Sequence, residues 1–221
     1  RNEICSNFSV SNSPESVLSG LDNIDQEYNV VIIDPAYEAF RGYGEKAYTG
    51  TGISLAIYKK FGLFGEKHYL SLDAGQAMVN IKTPELKPKI KALIHTVGPS
   101  NTRGFANFYE YLELTIKSIF ERVKELKRNN VIDEETIINI PLISVSDAVG
   151  GTAVQDKAGV YFPRYVKMIK KYFSKERGSE EQCELINPVT LYIQDEYFDA
   201  YEEYIKQFGI DEFWAYDFDG V

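Results

Sequence analysis

An α/β fold, with a mixed and largely parallel sheet covered by helices on both faces, is predicted by three features of this 221-residue chain. Short apolar runs of strand length alternate with longer amphipathic runs of helical period. Two of the apolar runs lead straight into loops of small residues. No repeat or low-complexity linker interrupts the alternation, so one domain is expected over residues 1–221. Strands alternating with helices need crossover connections, which make neighbouring strands parallel and put helices on the faces.

The elements follow in order. Ser11 to Ser19 opens with Ser-Asn-Ser-Pro-Glu, a cap, proline and early acid that predict a helix start. Asn29 to Ile33 predicts a buried strand, ending at Asp34-Pro35-Ala36. The loop behind it carries Gly42, Gly44, Gly50 and Gly52 and closes in Thr49-Gly50-Thr51-Gly52. A short helix is predicted from Ile53 to Phe61, stopped by Gly62. Gln76–Ile81 and Ala92–Val97 predict two strands, separated by the Pro- and Lys-containing stretch 82–91. Phe105, Tyr109, Leu112, Ile116, Ile119, Phe120, Val123 and Leu126 step by three or four, one face of a long amphipathic helix. Ile137 to Ser144 predicts a buried strand running into a second small-residue loop, Ser144 to Ala153. A helix over Tyr161–Phe173, a strand over Val189–Ile193, a helix over Glu196–Phe208 and a last strand over Glu212–Phe218 complete the set.

Composition narrows the function classes. Hydrophobic content of 44% supports a substantial core, and 16 Tyr with 13 Phe must be largely buried or lie in a site. No apolar run approaches the roughly 18 residues of a membrane span. The net charge of −9 disfavours nucleic-acid binding, which needs a basic footprint. It leaves room for a phosphate held by backbone N–H groups. Cys5 and Cys183 stand far apart without metal-like spacing, so free thiols and a reducing, cytoplasmic setting are expected. His68 and His95 are too isolated to suggest zinc, and no cofactor is expected. The chain starts at Arg1 rather than Met, which suggests trimming. A monomer is expected.

A buried strand feeding a glycine loop that opens a helix is a common anion site, because glycines let the backbone approach and the free helix N–H groups point at the anion. Both glycine-containing loops follow apolar strands. Ligands of such sheets sit at the carboxyl ends of the strands, so both loops are expected at that edge, around a phosphate or pyrophosphate.

Four segments carry a family resemblance. Val31-Ile32-Ile33-Asp34-Pro35-Ala36, continued by Thr49 to Gly62, resembles the strand, first loop and helix of the macro domain. Gly75-Gln76-Ala77 is similar to that family's Gly-Glu-Ala strand start. Leu93-Ile94-His95-Thr96-Val97-Gly98-Pro99 is similar to its Val-Ile-His-Thr-Val-Gly-Pro, and Ile140-Pro141-Leu142-Ile143-Ser144 to its Phe-Pro-Ala-Ile-Ser. Together they span about residues 28–173, with a C-terminal strand and helix over 185–221. The resemblance implies a three-layer α/β/α sandwich that binds ADP-ribose, free or on a modified protein. It departs from the family in three places. Asp34-Pro35-Ala36-Tyr37 stands where the family has Asn-Ala-Ala-Asn, residues 41–47 are extra, and Ser144-Val145-Ser146-Asp147-Ala148-Val149-Gly150-Gly151 replaces Ser-Thr-Gly-x-Tyr-Gly.

By this resemblance Ala36, Tyr37, Gly50, Thr51, Gly52 and Ile53 hold one side of the ligand. Ser144, Val145, Ser146, Ala148, Val149 and Gly150 hold the other, and Asp22 is the candidate for adenine, with Asp25 at a similar distance from Asp34. Hydrolysis at the distal ribose passes through an oxocarbenium-like transition state, which a nearby carboxylate stabilises or serves as acid or base. Asp147, Asp34 and Asp156 are the catalytic candidates. The expected activity is removal of mono-ADP-ribose from protein side chains; the added acid suits a basic leaving group such as an arginine guanidinium. The alternatives are a reader that binds without cleaving and an interaction domain whose site has decayed. Each candidate also has a plain reading: the loops as tight connections, Asp34 as a turn residue before proline, Asp147 as a solvated loop acid, Asp156 as a helix-entry residue. His95 reads as a core histidine satisfied within the protein.

Overall fold

The computed structural model describes residues 8–11, 29–36, 52–61, 72–80, 90–99, 105–145, 158–175 and 185–193, with Glu202, Glu203 and Lys206. Among the described residues, six strands and three helices of full extent follow one another: β1 Phe8–Ser11, β2 Val30–Ala36, α1 Gly52–Lys60, β3 Ala77–Asn80, β4 Ile90–Val97, α2 Phe105–Arg128, β5 Ile137–Pro141, α3 Ala158–Phe173 and β6 Val189–Tyr192. The sheet order is β1-β6-β5-β2-β4-β3, with only β3 antiparallel to its neighbour. The expected mixed, largely parallel sheet is what forms.

Side-chain alternation assigns the layers. Val31 and Ile33 of β2, Ala92 and Ile94 of β4, and Ile138 and Ile140 of β5 share a core with Leu112, Ile116, Ile119 and Val123 of α2 and with Tyr161, Tyr165 and Ile169 of α3. The alternate residues face the other way, where α1 lies: Ser54 reaches Asp34, and Tyr58 sits edge-on to His95. The result is a three-layer α/β/α sandwich. Aromatic side chains bind α2 to α3, with Phe120 edge-on to Phe173 at 5.3 Å and the Arg164 guanidinium over the Tyr109 ring at 4.3 Å.

Most sequence-predicted elements are present with shifted ends. The strand expected to stop at Ile33 runs on through Pro35 to Ala36. Ser11, expected to open a helix, instead closes β1, whose four residues pair with Val189–Tyr192; residues 12–19 of that expected helix lie outside the described residues. The turn into β3 depends on Gly75, at φ 89°, a backbone region that a Cβ disfavours. The Gly75 carbonyl accepts from Ser118 of α2, which fixes the turn on that helix. Of the predicted C-terminal helix, only Glu202, Glu203 and Lys206 are described, and they are helical; 212–218 lies outside the described residues. Among the described residues, no helix is long and apolar enough to cross a membrane.

Candidate functional site

The β2–β5 boundary is where the chain reverses direction across the sheet. After β2 the chain goes by α1 towards β3 and β4; after β5 it goes by α3 to β6, on the opposite side. Such a switch point leaves a crevice at the carboxyl ends of the two strands. Here the pairing register covers only Val30↔Ile137 to Ile32↔Asn139, whereas β2 stays paired with β4 as far as Ala36↔Val97. The sheet is therefore split at this edge, between the end of β2 and the end of β5.

The first loop's helix is tied to the sheet from below. Ser54, in the first turn of α1, donates to Asp34 Oδ1 at 2.5 Å, and His95 Nδ1 lies 2.7 Å from Asp34 Oδ2. Asp34 has 0% exposure and His95 1%. Both carboxylate oxygens are thus engaged inside the protein, and the carboxylate does not face solvent. His95 has the satisfied core position expected of it. The Asp34 pairing had no sequence signal beyond Asp34 standing for an asparagine.

The second loop starts under equally tight control. Tyr161 of α3 spans Ile143 with one hydroxyl, accepting from its N–H at 3.1 Å and donating to its carbonyl at 2.7 Å. Ser144 follows at φ 64°, a conformation that costs a non-glycine residue of order 1 kcal/mol or more. Gly98, just past β4, lies so close that a Cβ there would sit 2.3 Å from Ser144 Oγ and 2.4 Å from Ile143 Cγ2. Segments leaving two strands that are not neighbours thus meet across the end of β2. Tyr165 donates to the Pro141 carbonyl at 2.5 Å, and Tyr192 of β6 donates to the Ile33 carbonyl at 3.2 Å. Burial pushes both tyrosine hydroxyls well above their ordinary value, Tyr165 with a smaller contribution from Tyr192, and Tyr192 with one from the Asp34 carboxylate. Both stay protonated and keep donating. Tyr161, Tyr165 and Tyr192 were missed from the sequence, because sixteen tyrosines offer no spacing that singles them out.

Electrostatics favour an anion at this edge. Each helix follows a parallel strand, so the N-termini of α1, α2 and α3 all lie at the carboxyl edge. None has an acid in its first turn, and each carries two basic residues in its last turn. The positive ends of three helix dipoles thus point to one side of the sheet. Their N–H groups can hold an oxyanion without a lysine.

The sequence-predicted site residues fall into two groups. Asp34 and Ala36 at the end of β2, Gly52 and Ile53 opening α1, and Ser144 and Val145 after β5 are brought to this one edge. Ala36 and Val145 are buried. Asp22, Tyr37, Gly50, Thr51, Ser146, Asp147, Ala148, Val149, Gly150 and Asp156 lie outside the described residues, as do Cys5, Cys183 and His68. Among the described residues no cluster of His, Cys, Asp and Glu is suited to a metal.

No protein-family model and no curated protein matches the chain. Solved structures do. An aspartate-to-alanine mutant of the Oceanobacillus iheyensis macrodomain superposes with a TM-score of 0.56 at 17% identity, covering 90% of both chains. A glycine-to-valine mutant of the same macrodomain, solved with ADPR, gives 0.56 at 18% identity, covering 90% of this chain and 91% of that one. The same macrodomain with ADP gives 0.55 at 18% identity, covering 81% and 84%. The chain shares the macrodomain fold.

Proposed function

We propose that this chain binds ADP-ribose in the crevice between β2 and β5 and removes mono-ADP-ribose from modified protein side chains. The observation that carries the binding half is the edge itself: three helices whose first turns carry no acid begin at the edge where the sheet is split. The macrodomain solved with ADPR and ADP supports the ligand class. In this arrangement the backbone of Gly50, Thr51, Gly52 and Ile53 faces one phosphate, and Ser144 to Gly150 closes over the other. Asp22 takes the adenine, and Ala36 with Tyr37 borders the distal ribose. The catalytic assignment is to Asp147 and Asp156, carboxylates placed beside a bond whose cleavage develops positive charge, whereas Asp34, expected as a third, is turned inward with both oxygens held by Ser54 and His95. The added acid suits an arginine-linked substrate. A single domain in a reducing compartment fits the same proposal.

A second reading has its own support. Asp34 is fully buried with both oxygens bonded to Ser54 and His95, which favours a reader that binds ADP-ribose without cleaving it. Two measurements separate the readings. Titration calorimetry of free ADP-ribose is expected to show binding; absence of heat removes both. Release of ADP-ribose from arginine- and glutamate-modified proteins is then followed for the wild type, Asp147→Ala and Asp34→Asn. Turnover that falls at least tenfold in Asp147→Ala supports the hydrolase, and no turnover on either linkage leaves the reader.

A further inference from the structure

Two prolines on the strands flanking the crevice lack an N–H at the same seam. The N–H of Ile137 donates to the Asn29 carbonyl at 2.8 Å, and the register from Val30↔Ile137 to Ile32↔Asn139 carries that alternation forward. In a parallel ladder, odd-numbered residues of both strands therefore face the seam. Two steps further on, the N–H of residue 141 is due at the Ile33 carbonyl, and that of residue 35 at the carbonyl of residue 141. Those residues are Pro141 and Pro35. Neither disturbs its other neighbour. Even-numbered residues of β5 serve β6, as Ile138 does in donating to the Pro188 carbonyl at 2.8 Å, and β2 keeps its pairing with β4 to Ala36↔Val97.

Proline is normally kept out of central strands because it deletes a ladder bond. Both deletions here fall on one seam and leave two buried carbonyls, Ile33 and Pro141. Tyrosine hydroxyls reach both, Tyr192 the Ile33 carbonyl at 3.2 Å and Tyr165 the Pro141 carbonyl at 2.5 Å. A buried carbonyl without a donor is costly, so the hydroxyls replace the missing N–H groups. They come from β6 and α3, outside the seam, so they satisfy the carbonyls without drawing β2 and β5 together.

We propose that Pro35, Pro141, Tyr165 and Tyr192 are positioning residues that keep the carboxyl end of the β2–β5 seam unzipped and give the ligand crevice a fixed width. The ligand half of this proposal rests on the ADP-ribose reading above. Pro141→Ala returns an N–H aimed at the Ile33 carbonyl. Tyr192→Phe removes the present donor and is expected to lower Tm by roughly 3–10 °C. In the Pro141→Ala background the same change is expected to lower Tm by less than half as much, with the new Ala amide protected from hydrogen exchange. Tyr165→Phe with Pro35→Ala forms a parallel cycle for the Pro141 carbonyl, should Tyr192→Phe alone fail to fold. Pro141→Ala is also expected to weaken ADP-ribose binding about tenfold or more while its Tm is unchanged or higher, a split that a purely structural role would not produce. Additive Tm changes in both cycles, a freely exchanging Ala amide, or full affinity in Pro141→Ala would overturn the proposal. If the wild type binds no ADP-ribose, the functional reading falls, and the Tm cycles with the amide protection still decide whether the seam is held open.

Discussion

Replacing Gly98 by alanine should damage the fold and the candidate site together. The added methyl would lie 2.3 Å from Ser144 Oγ and 2.4 Å from Ile143 Cγ2. Ordinary contact needs about 3.5 Å or more, so the second-loop segment must retreat by roughly 1 Å. It has little freedom to do so. The N–H and carbonyl of Ile143 are both bonded to the Tyr161 hydroxyl, and Ser144 already holds a φ of 64°. Overpacking of this kind costs about 1–3 kcal/mol. For a chain of this size that lowers Tm by roughly 2–10 °C. Differential scanning calorimetry reads the stability, and titration with ADP-ribose reads the site, where a loss of about tenfold or more is expected. Adding Ser144→Gly removes one clash and relieves the φ strain, so it should recover part of the loss; the contact with Ile143 remains. A Gly98→Ala protein within about 0.5 kcal/mol of wild type, with unchanged affinity, would refute the packing argument.

Three more outcomes are expected. Asp34→Ala removes the partner of both Ser54 and His95 and should cost about 2–5 kcal/mol in urea denaturation, with Asp34→Asn losing less; equal losses would contradict the bonding assigned to the carboxylate. Tyr161→Phe strips Ile143 of both backbone partners and should cost about 1–3 kcal/mol by the same assay, and no loss would mean the hydroxyl is replaceable. Glu113 is held below its ordinary value of 4.5 chiefly by its bond to Lys171, then by Tyr172, against some desolvation. A depressed folded-state carboxylate stabilises above its unfolded pKa and loses that contribution as pH falls through the folded one, so Glu113→Gln should flatten the stability loss below about pH 4.5. The effect is small because the pair is largely exposed, and identical acid limbs in the two proteins would dismiss it.

The parts of the fold legible in the sequence were those where side-chain period decided burial. The long apolar stripe from Phe105 to Leu126 was read as a helix lying on the sheet, and Ile137 to Ser144 as a buried strand, of which Ile137–Pro141 is strand and the rest is not. Ends were less legible because they depend on partners. The strand ending expected at Ile33 ignored the parity of the ladder: Pro35 continues β2 because its missing N–H faces β5 and not β4. β1 was overlooked because Phe8–Ser11 is only four residues long and its pairing partner lies at Val189–Tyr192. At the site, order and spacing brought the loop starts to one edge, and His95 was correctly read as part of the interior. The tyrosines that satisfy Ile33, Pro141 and Ile143 were not legible. Their roles arise from backbone groups left over by prolines and a strained serine, which side-chain patterns do not report.

The sheet's outer edge has a consequence for how the molecule is assembled. Among the described residues β1 pairs only with β6, so the first described strand waits for the last described one. The partners Phe8 and Val189 are 181 residues apart (189 − 8). Contacts of such separation are slow to form, since chain entropy is lost before they can return any stability. β2 and β4, whose partners lie closer in sequence, can pair before that. A chain emerging from the ribosome thus cannot pair Phe8–Ser11 with Val189–Tyr192 until the segment through Tyr192 has been made.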